Sequence, residues 1–198
     1  MRTTDVLKQS DLITNLNLPN FLTVVRILLI PVFVVLFSDP TPDRSLAAAI
    51  VFVVAAVTDL MDGYLARRRS QITRLGRLLD PIADKLLVLS GLILLVQFDR
   101  VAAIVAILII AREVAVTGVR AIAAAQGIII EAETTGKYKM AVQVVAIMFL
   151  LLEDGNLPAS WHPHEVGTGL LYVALALALY SGQRYLVSFW RQSSTKGL

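Results

Sequence analysis

Residues 45–98 read "SLAAAIVFVVAAVTDLMDGYLARRRSQITRLGRLLDPIADKLLVLSGLILLVQF". One apolar run enters a short, strongly basic segment and a second apolar run leaves it. Each run is about 20 residues long, the length at which a helix crosses roughly 30 Å of hydrocarbon. A barrel strand would alternate in polarity, and neither run does. The stretch therefore predicts a helical hairpin that crosses a membrane twice. Asp59, Asp62, Asp80 and Asp84 sit where the apolar runs meet the basic turn.

The same pattern continues outward in both directions. Six spans are predicted at 20–38, 45–65, 78–98, 101–121, 136–152 and 166–185. The composition agrees: 57% of residues are hydrophobic and 17% charged, and the mean hydropathy is +0.72. Soluble domains run nearer half apolar and about a quarter charged. The predicted fold class is all-α, a polytopic membrane protein of six transmembrane helices with a short N-terminal surface segment. Residues 1–19 form a polar juxtamembrane segment with no cleavage site of the signal-peptide kind, 20–190 the membrane domain and 191–198 a tail. The chain has no cysteine, which excludes disulfides and thiolate metal sites.

Charge placement sets the orientation. Thirteen of the eighteen Lys and Arg fall in the segments before span one, between spans two and three, between four and five, or after span six, or within three residues of the span ends that border them. Arg67, Arg68, Arg69, Arg74 and Arg77 crowd the hairpin turn alone, while the opposite loops hold Arg44 and Arg100. The positive-inside rule then puts both termini and the turn in the cytoplasm. The segment "LEDGNLPASWHPHE", 152–165, lies outside; His162 and His164 read as loop residues, far from the aspartates.

On helices, Asp59 and Asp62 share one face, and Gly76, Asp80 and Asp84 share another. Both pairs lie within roughly 10 Å of the same boundary by helical rise. Placing a carboxylate at mid-bilayer costs about 2.5–3.5 kcal/mol, and four of them repel one another. Hard oxygen donors without cysteine or nearby histidine suit Mg²⁺, Mn²⁺ or Ca²⁺, and four carboxylates can hold two ions. Two other readings remain open here: a salt-bridge network with the adjacent arginines, and a cation or proton pathway. Pro81 raises a local question. Either Asp80 caps a helix that starts at Pro81, or span three kinks there.

Residues 59–84 match the pattern D-x2-D-G-x2-A-R-x8-G-x3-D-x3-D at every fixed position. This resembles the signature of the CDP-alcohol phosphatidyltransferase family. The resemblance implies six transmembrane helices and transfer of a phosphatidyl or related group from a CDP-linked donor to an alcohol, with release of CMP. It implies that Asp59, Asp62, Asp80 and Asp84 hold the metal, two ions of Mg²⁺ or Mn²⁺, and that Asp84 is also the catalytic base. Gly63, Ala66 and Gly76 would allow close approach of the cytidine, and Arg67 and Thr73 would bind the nucleotide and its phosphates. It further implies an integral protein of the cell (inner) membrane with its active site facing the cytoplasm, surrounded by membrane lipids, and a homodimer; no nucleic acid is expected as a partner.

A second basic group lies elsewhere. Arg112 and Arg120, eight apart, fall on one stripe of span four; Lys137 and Lys139 open span five, and Arg26 lies inside span one. Buried arginines favour anions, and phosphate is the natural guest. Glu113, the neighbour of Arg112, is expected to point to a different helix face and to be a poor partner for it. The segments "NLPNFLTVVRILLIPVF", "AREVAVTGVR" and "GKYKMAVQ" resemble the branch of the family whose acceptor is sn-glycerol 3-phosphate, although Met140 stands where that branch has threonine. By that resemblance Asn20 and Thr23 contact CDP-diacylglycerol, and Arg26, Arg112, Arg120, Lys137 and Lys139 bind the acceptor phosphate. The acceptors left as alternatives are inositol phosphate, phosphatidylglycerol and serine; outside the class, the alternative is a cation- or proton-coupled carrier.

Overall fold

The computed structural model describes the backbone of residues 18–69, 74–126 and 135–195, and the side chains of 21–58, 82–83, 85–126 and 138–192. Six long helices make up nearly all of it: α1 Leu18–Phe37, α2 Pro42–Arg69, α3 Arg74–Gln97, α4 Ala103–Ala125, α5 Thr135–Leu151 and α6 Pro163–Thr195. A single 3-10 turn, Ala159–Trp161, precedes α6. No strand occurs among the described residues. Each helix covers one predicted span, and most run past it. α2 extends four residues beyond the predicted end at 65, through the arginines to Arg69, and α6 runs through position 190 to Thr195. Apolar length predicts where hydrocarbon ends; backbone hydrogen bonds carry a helix on into water.

The chain forms two compact units, residues 1–90 and 91–198. In the first, α1 packs on α2. α1 buries Thr23, Arg26, Ile30, Phe33 and Phe37, a run of three- and four-residue steps that defines one helix face. α2 answers with Ala48, Ala49, Phe52, Ala55 and Ala56. The alanines let the backbones approach, and Phe52 tilts against Phe33 at 5.5 Å between ring centroids while Phe33 stacks with Phe37 at 6.3 Å. Pro31 sits inside α1 on its exposed side, away from the buried stripe, where its nitrogen cannot donate to the helix.

In the second unit, α6 packs along both α5 and α4. Gly167 permits the α5 contact: a Cβ there would fall 2.7 Å from the Leu150 side chain. The turn after α3 uses Asp99 at φ 56°, a conformation Asp tolerates, and Arg100 N–H donates back to the Leu95 carbonyl at 2.9 Å. This closes α3 and directs Arg100 inward, where its guanidinium is buried.

The faces turned away from these contacts are apolar. Phe21, Val24, Leu28, Val32 and Val35 are exposed along α1, and Ile104, Ile107, Val114 and Ile122 along α4. So much continuous exposed hydrocarbon is a liability in water and is at home in lipid. Among the described residues one helix, 159–192, is long and apolar enough on its own to cross a membrane.

Candidate active site

The aspartate pairs lie on α2 and α3. Asp59 and Asp62 fall within the continuous helix Pro42–Arg69, and Asp80 and Asp84 within Arg74–Gln97. Spacings of three and four on continuous helix put each pair on one face. The question raised by Pro81 is answered in part: α3 begins at Arg74, so Pro81 lies inside the helix and Asp80 is not its cap. The side chains of Asp59, Asp62, Gly63, Ala66, Arg67, Gly76, Asp80 and Asp84 lie outside the described residues, as do those of Asn20 and Lys137, and Thr73 lies outside them entirely. The donor set nonetheless fits a hard divalent cation, because it is all carboxylate and both pairs have the spacing that lets two oxygens converge. Among the described residues, which exclude these four side chains, no group of three His, Cys, Asp or Glu gathers.

Two of the predicted contacts on α1 are fully buried against α2, Thr23 and Arg26. Arg26 Nε donates to the Ala55 carbonyl at 3.2 Å, and Thr58 Oγ1 donates to the same oxygen at 2.7 Å. Ala55 is one turn before Asp59. Arg26 is therefore fixed at the approach to the aspartate face of α2, in the first unit, whereas Arg112, Arg120 and Lys139 belong to the second.

In the second unit Arg112 and Arg120 follow one stripe of α4 that faces α6. Arg112 Nε donates to the Ala178 carbonyl at 2.8 Å, and its Nη2 to Ser181 Oγ at 2.6 Å. Arg120 stands 5.6 Å from the centre of the Tyr185 ring, a cation–π distance. Gly182 makes room for Arg112: a Cβ at this position would lie 3.2 Å from Nε. Lys139 of α5 is buried and its ammonium pairs with Glu113. One turn along α5, Gln143 is buried, and its Nε2 has no hydrogen-bond partner.

The expectation for Glu113 is corrected. Arg112 Nη1 donates to Glu113 Oε1 at 2.7 Å. Adjacent Cα–Cβ vectors do diverge by about 100° on a helix, but both side chains are long enough to bend back and meet against α6. Sequence reasoning also passed over Ser181, Gly182 and Arg100. Arg100 reads as an outer-loop charge, yet it donates to the Leu150 carbonyl at 2.8 Å and pairs with Glu153 at 3.4 Å and with Asp154. It ties the end of α5 to the start of α4. His164 joins the same group through Glu153 at 2.9 Å.

Helices with lipid-compatible outer faces, acidic pairs on two successive helices and buried cations together point to a membrane enzyme that handles anionic substrates. A family model described as CDP-alcohol phosphatidyltransferase matches residues 16–180, and the chain belongs to that family. It is 40% identical over 191 residues to a Bacillus subtilis (strain 168) protein named CDP-diacylglycerol--glycerol-3-phosphate 3-phosphatidyltransferase, covering 90% of this chain and 98% of that protein. A Pseudomonas fluorescens protein of the same name is 40% identical over 187 residues, covering 92% and 94%. One from Rickettsia bellii (strain RML369-C) is 37% identical over 171 residues, covering 85% and 93%.

Proposed function

We propose that the protein transfers the phosphatidyl group of CDP-diacylglycerol to sn-glycerol 3-phosphate, giving phosphatidylglycerophosphate and CMP, as a step of phospholipid synthesis. The observation that carries this reading is the placement of both aspartate pairs at helical spacing on continuous helices, in a chain whose relatives bear that name. Asp59, Asp62, Asp80 and Asp84 hold Mg²⁺ or Mn²⁺, two ions for four carboxylates. When bound, the metal neutralises the pyrophosphate and the charge that builds on CMP. Asp84 takes the proton from the acceptor hydroxyl. The acceptor oxygen forms a bond to the lipid-bearing phosphorus as the bond from that phosphorus to CMP breaks, and CMP leaves with the electron pair. Asn20, Thr23, Gly63, Ala66, Arg67, Thr73 and Gly76 receive the donor. Arg26, Arg112, Arg120, Lys137 and Lys139 receive the phosphate of the acceptor.

All six helices cross the membrane, with the hairpin turn in the cytoplasm; the basic bias of that turn and the exposed apolar faces support this. The protein is integral to the cell (inner) membrane and works as a homodimer. In detergent–lipid micelles the purified protein releases CMP only when both substrates and Mg²⁺ or Mn²⁺ are present. Asp84→Asn lowers kcat by roughly 10²-fold or more, as loss of a positioned base does. Full turnover in that variant would remove Asp84 from the role.

A further inference from the structure

Arg112 is held at every nitrogen. Nε is engaged by the Ala178 carbonyl, Nη1 by Glu113 Oε1 and Nη2 by Ser181 Oγ. A guanidinium has five N–H groups; with these three in use, one remains on each terminal nitrogen. Two donors on the two terminal nitrogens are what a forked contact to a phosphate requires. Glu113 Oε1 also accepts from Lys139 Nζ. One carboxylate oxygen on α4 thus ties a guanidinium that lies across α6 to an ammonium from α5. Arg112, Lys139 and Glu113 keep side-chain exposures of only 12%, 9% and 19%. The group is screened enough to be stiff and open enough to be reached. Its sum of charges is +1, so an anion is still attracted with Glu113 in place.

We propose that Glu113 is a positioning residue for the phosphate of the acceptor: through one carboxylate oxygen it fixes Arg112 and Lys139 as a single two-cation unit. The inference rests on the reading of Arg112 and Lys139 as acceptor contacts. It runs against the simpler expectation that an acidic side chain beside an anion site repels the anion. Removing the charge of Glu113 strengthens long-range attraction for phosphate, but it releases two long side chains whose order the site depends on. The first effect lowers the KM for the acceptor and the second raises it, so the direction of change decides between them.

The test is steady-state CMP release by the full-length protein in mixed micelles, with sn-glycerol 3-phosphate and CDP-diacylglycerol varied in turn. Glu113→Gln raises the acceptor KM roughly 10- to 100-fold, the effect of losing a charged hydrogen bond, while the donor KM stays within about twofold. Glu113→Asp keeps the charge but shortens the reach, and shows the same acceptor-selective rise. A fall in acceptor KM in Glu113→Gln, or wild-type kinetics in Glu113→Asp, overturns the proposal in favour of a charge effect alone. Arg112→Gln separates the two levels. If it raises the acceptor KM and the Glu113 variants do not, positioning fails and the acceptor reading stands. If it leaves the acceptor KM unchanged, the acceptor reading fails and takes the proposal with it. Failure of both Glu113 variants to give a folded protein, judged by a native-like thermal transition, makes Glu113 a folding element and overturns the proposal as well.

Discussion

Gly182→Ala should leave the protein as stable as before, or more so, and still weaken its hold on the acceptor. Gly182 is in the interior of α6, where alanine is favoured over glycine by about 0.8–1.0 kcal/mol. The new Cβ meets Arg112 Nε at 3.2 Å, Arg112 Cγ at 3.4 Å and Val116 Cγ2 at 3.5 Å. Comfortable contact begins near 3.5 Å, so the guanidinium must withdraw from α6 by roughly 0.3 Å. Its Nε–Ala178 bond is 2.8 Å long, and such a bond weakens beyond about 3.2 Å. The bond is stretched but not broken. At about 3.1 Å the bond is near the edge of that range, and a small part of one charged hydrogen bond is lost, about 0.5 kcal/mol, which corresponds to a rise of roughly twofold in acceptor KM. The assay is CMP release with sn-glycerol 3-phosphate varied, set beside the thermal transition of the same preparation. An unchanged acceptor KM would show that Arg112 has slack and that its three-point hold does not matter. A parallel rise in both KM values with a lower transition temperature would show a general loss of packing instead.

Other outcomes follow from the same geometry. Arg100→Ala removes the tie between the start of α4 and the end of α5. It should cost about 2 kcal/mol, below the 3–5 of a fully buried pair, because Glu153 and Asp154 keep 18% and 30% exposure; urea or thermal unfolding in micelles measures it, with turnover per folded molecule unchanged. The chain has no cysteine, so single introduced thiols report topology on a clean background. A membrane-impermeant maleimide should label Ser160→Cys in intact cells and Ser70→Cys only after lysis; the reverse pattern would invert the proposed orientation.

Much of the architecture is visible in the sequence because apolar length and helix length share a cause. The runs at 20–38 and 101–121 lie over α1 and α4 to within a few residues, with polar residues or the Asp99 turn setting the ends. The overshoot of α2 and α6 was not legible, since hydrophobicity falls silent once a helix leaves the hydrocarbon. At the site, the spacing of Asp59, Asp62, Asp80 and Asp84 gives faces directly, because it depends only on helical rise and turn. The stripe through Arg112 and Arg120 was legible for the same reason, and both do run along α6. What escaped were contacts set by side-chain reach and by distant partners. Glu113 meets Arg112 only because both bend toward α6, and Lys139 reaches it from 26 residues away. Arg100 finds its carbonyls 50 residues on. Gly182 carries no chemistry of its own; its meaning appears only when Arg112 is seen lying across it. A buried small residue on one helix opposite a long cation on another is a signal that no single stretch of sequence displays.

The identity of the acceptor separates this enzyme from others that share its chemistry. The purified protein, given CDP-diacylglycerol and Mg²⁺, should be offered sn-glycerol 3-phosphate, myo-inositol phosphate, phosphatidylglycerol and serine in parallel, with lipid products identified by mass spectrometry. Phosphatidylglycerophosphate and stoichiometric CMP should form with sn-glycerol 3-phosphate alone. Faster CMP release with any of the other three, and its corresponding lipid as the product, would contradict this assignment.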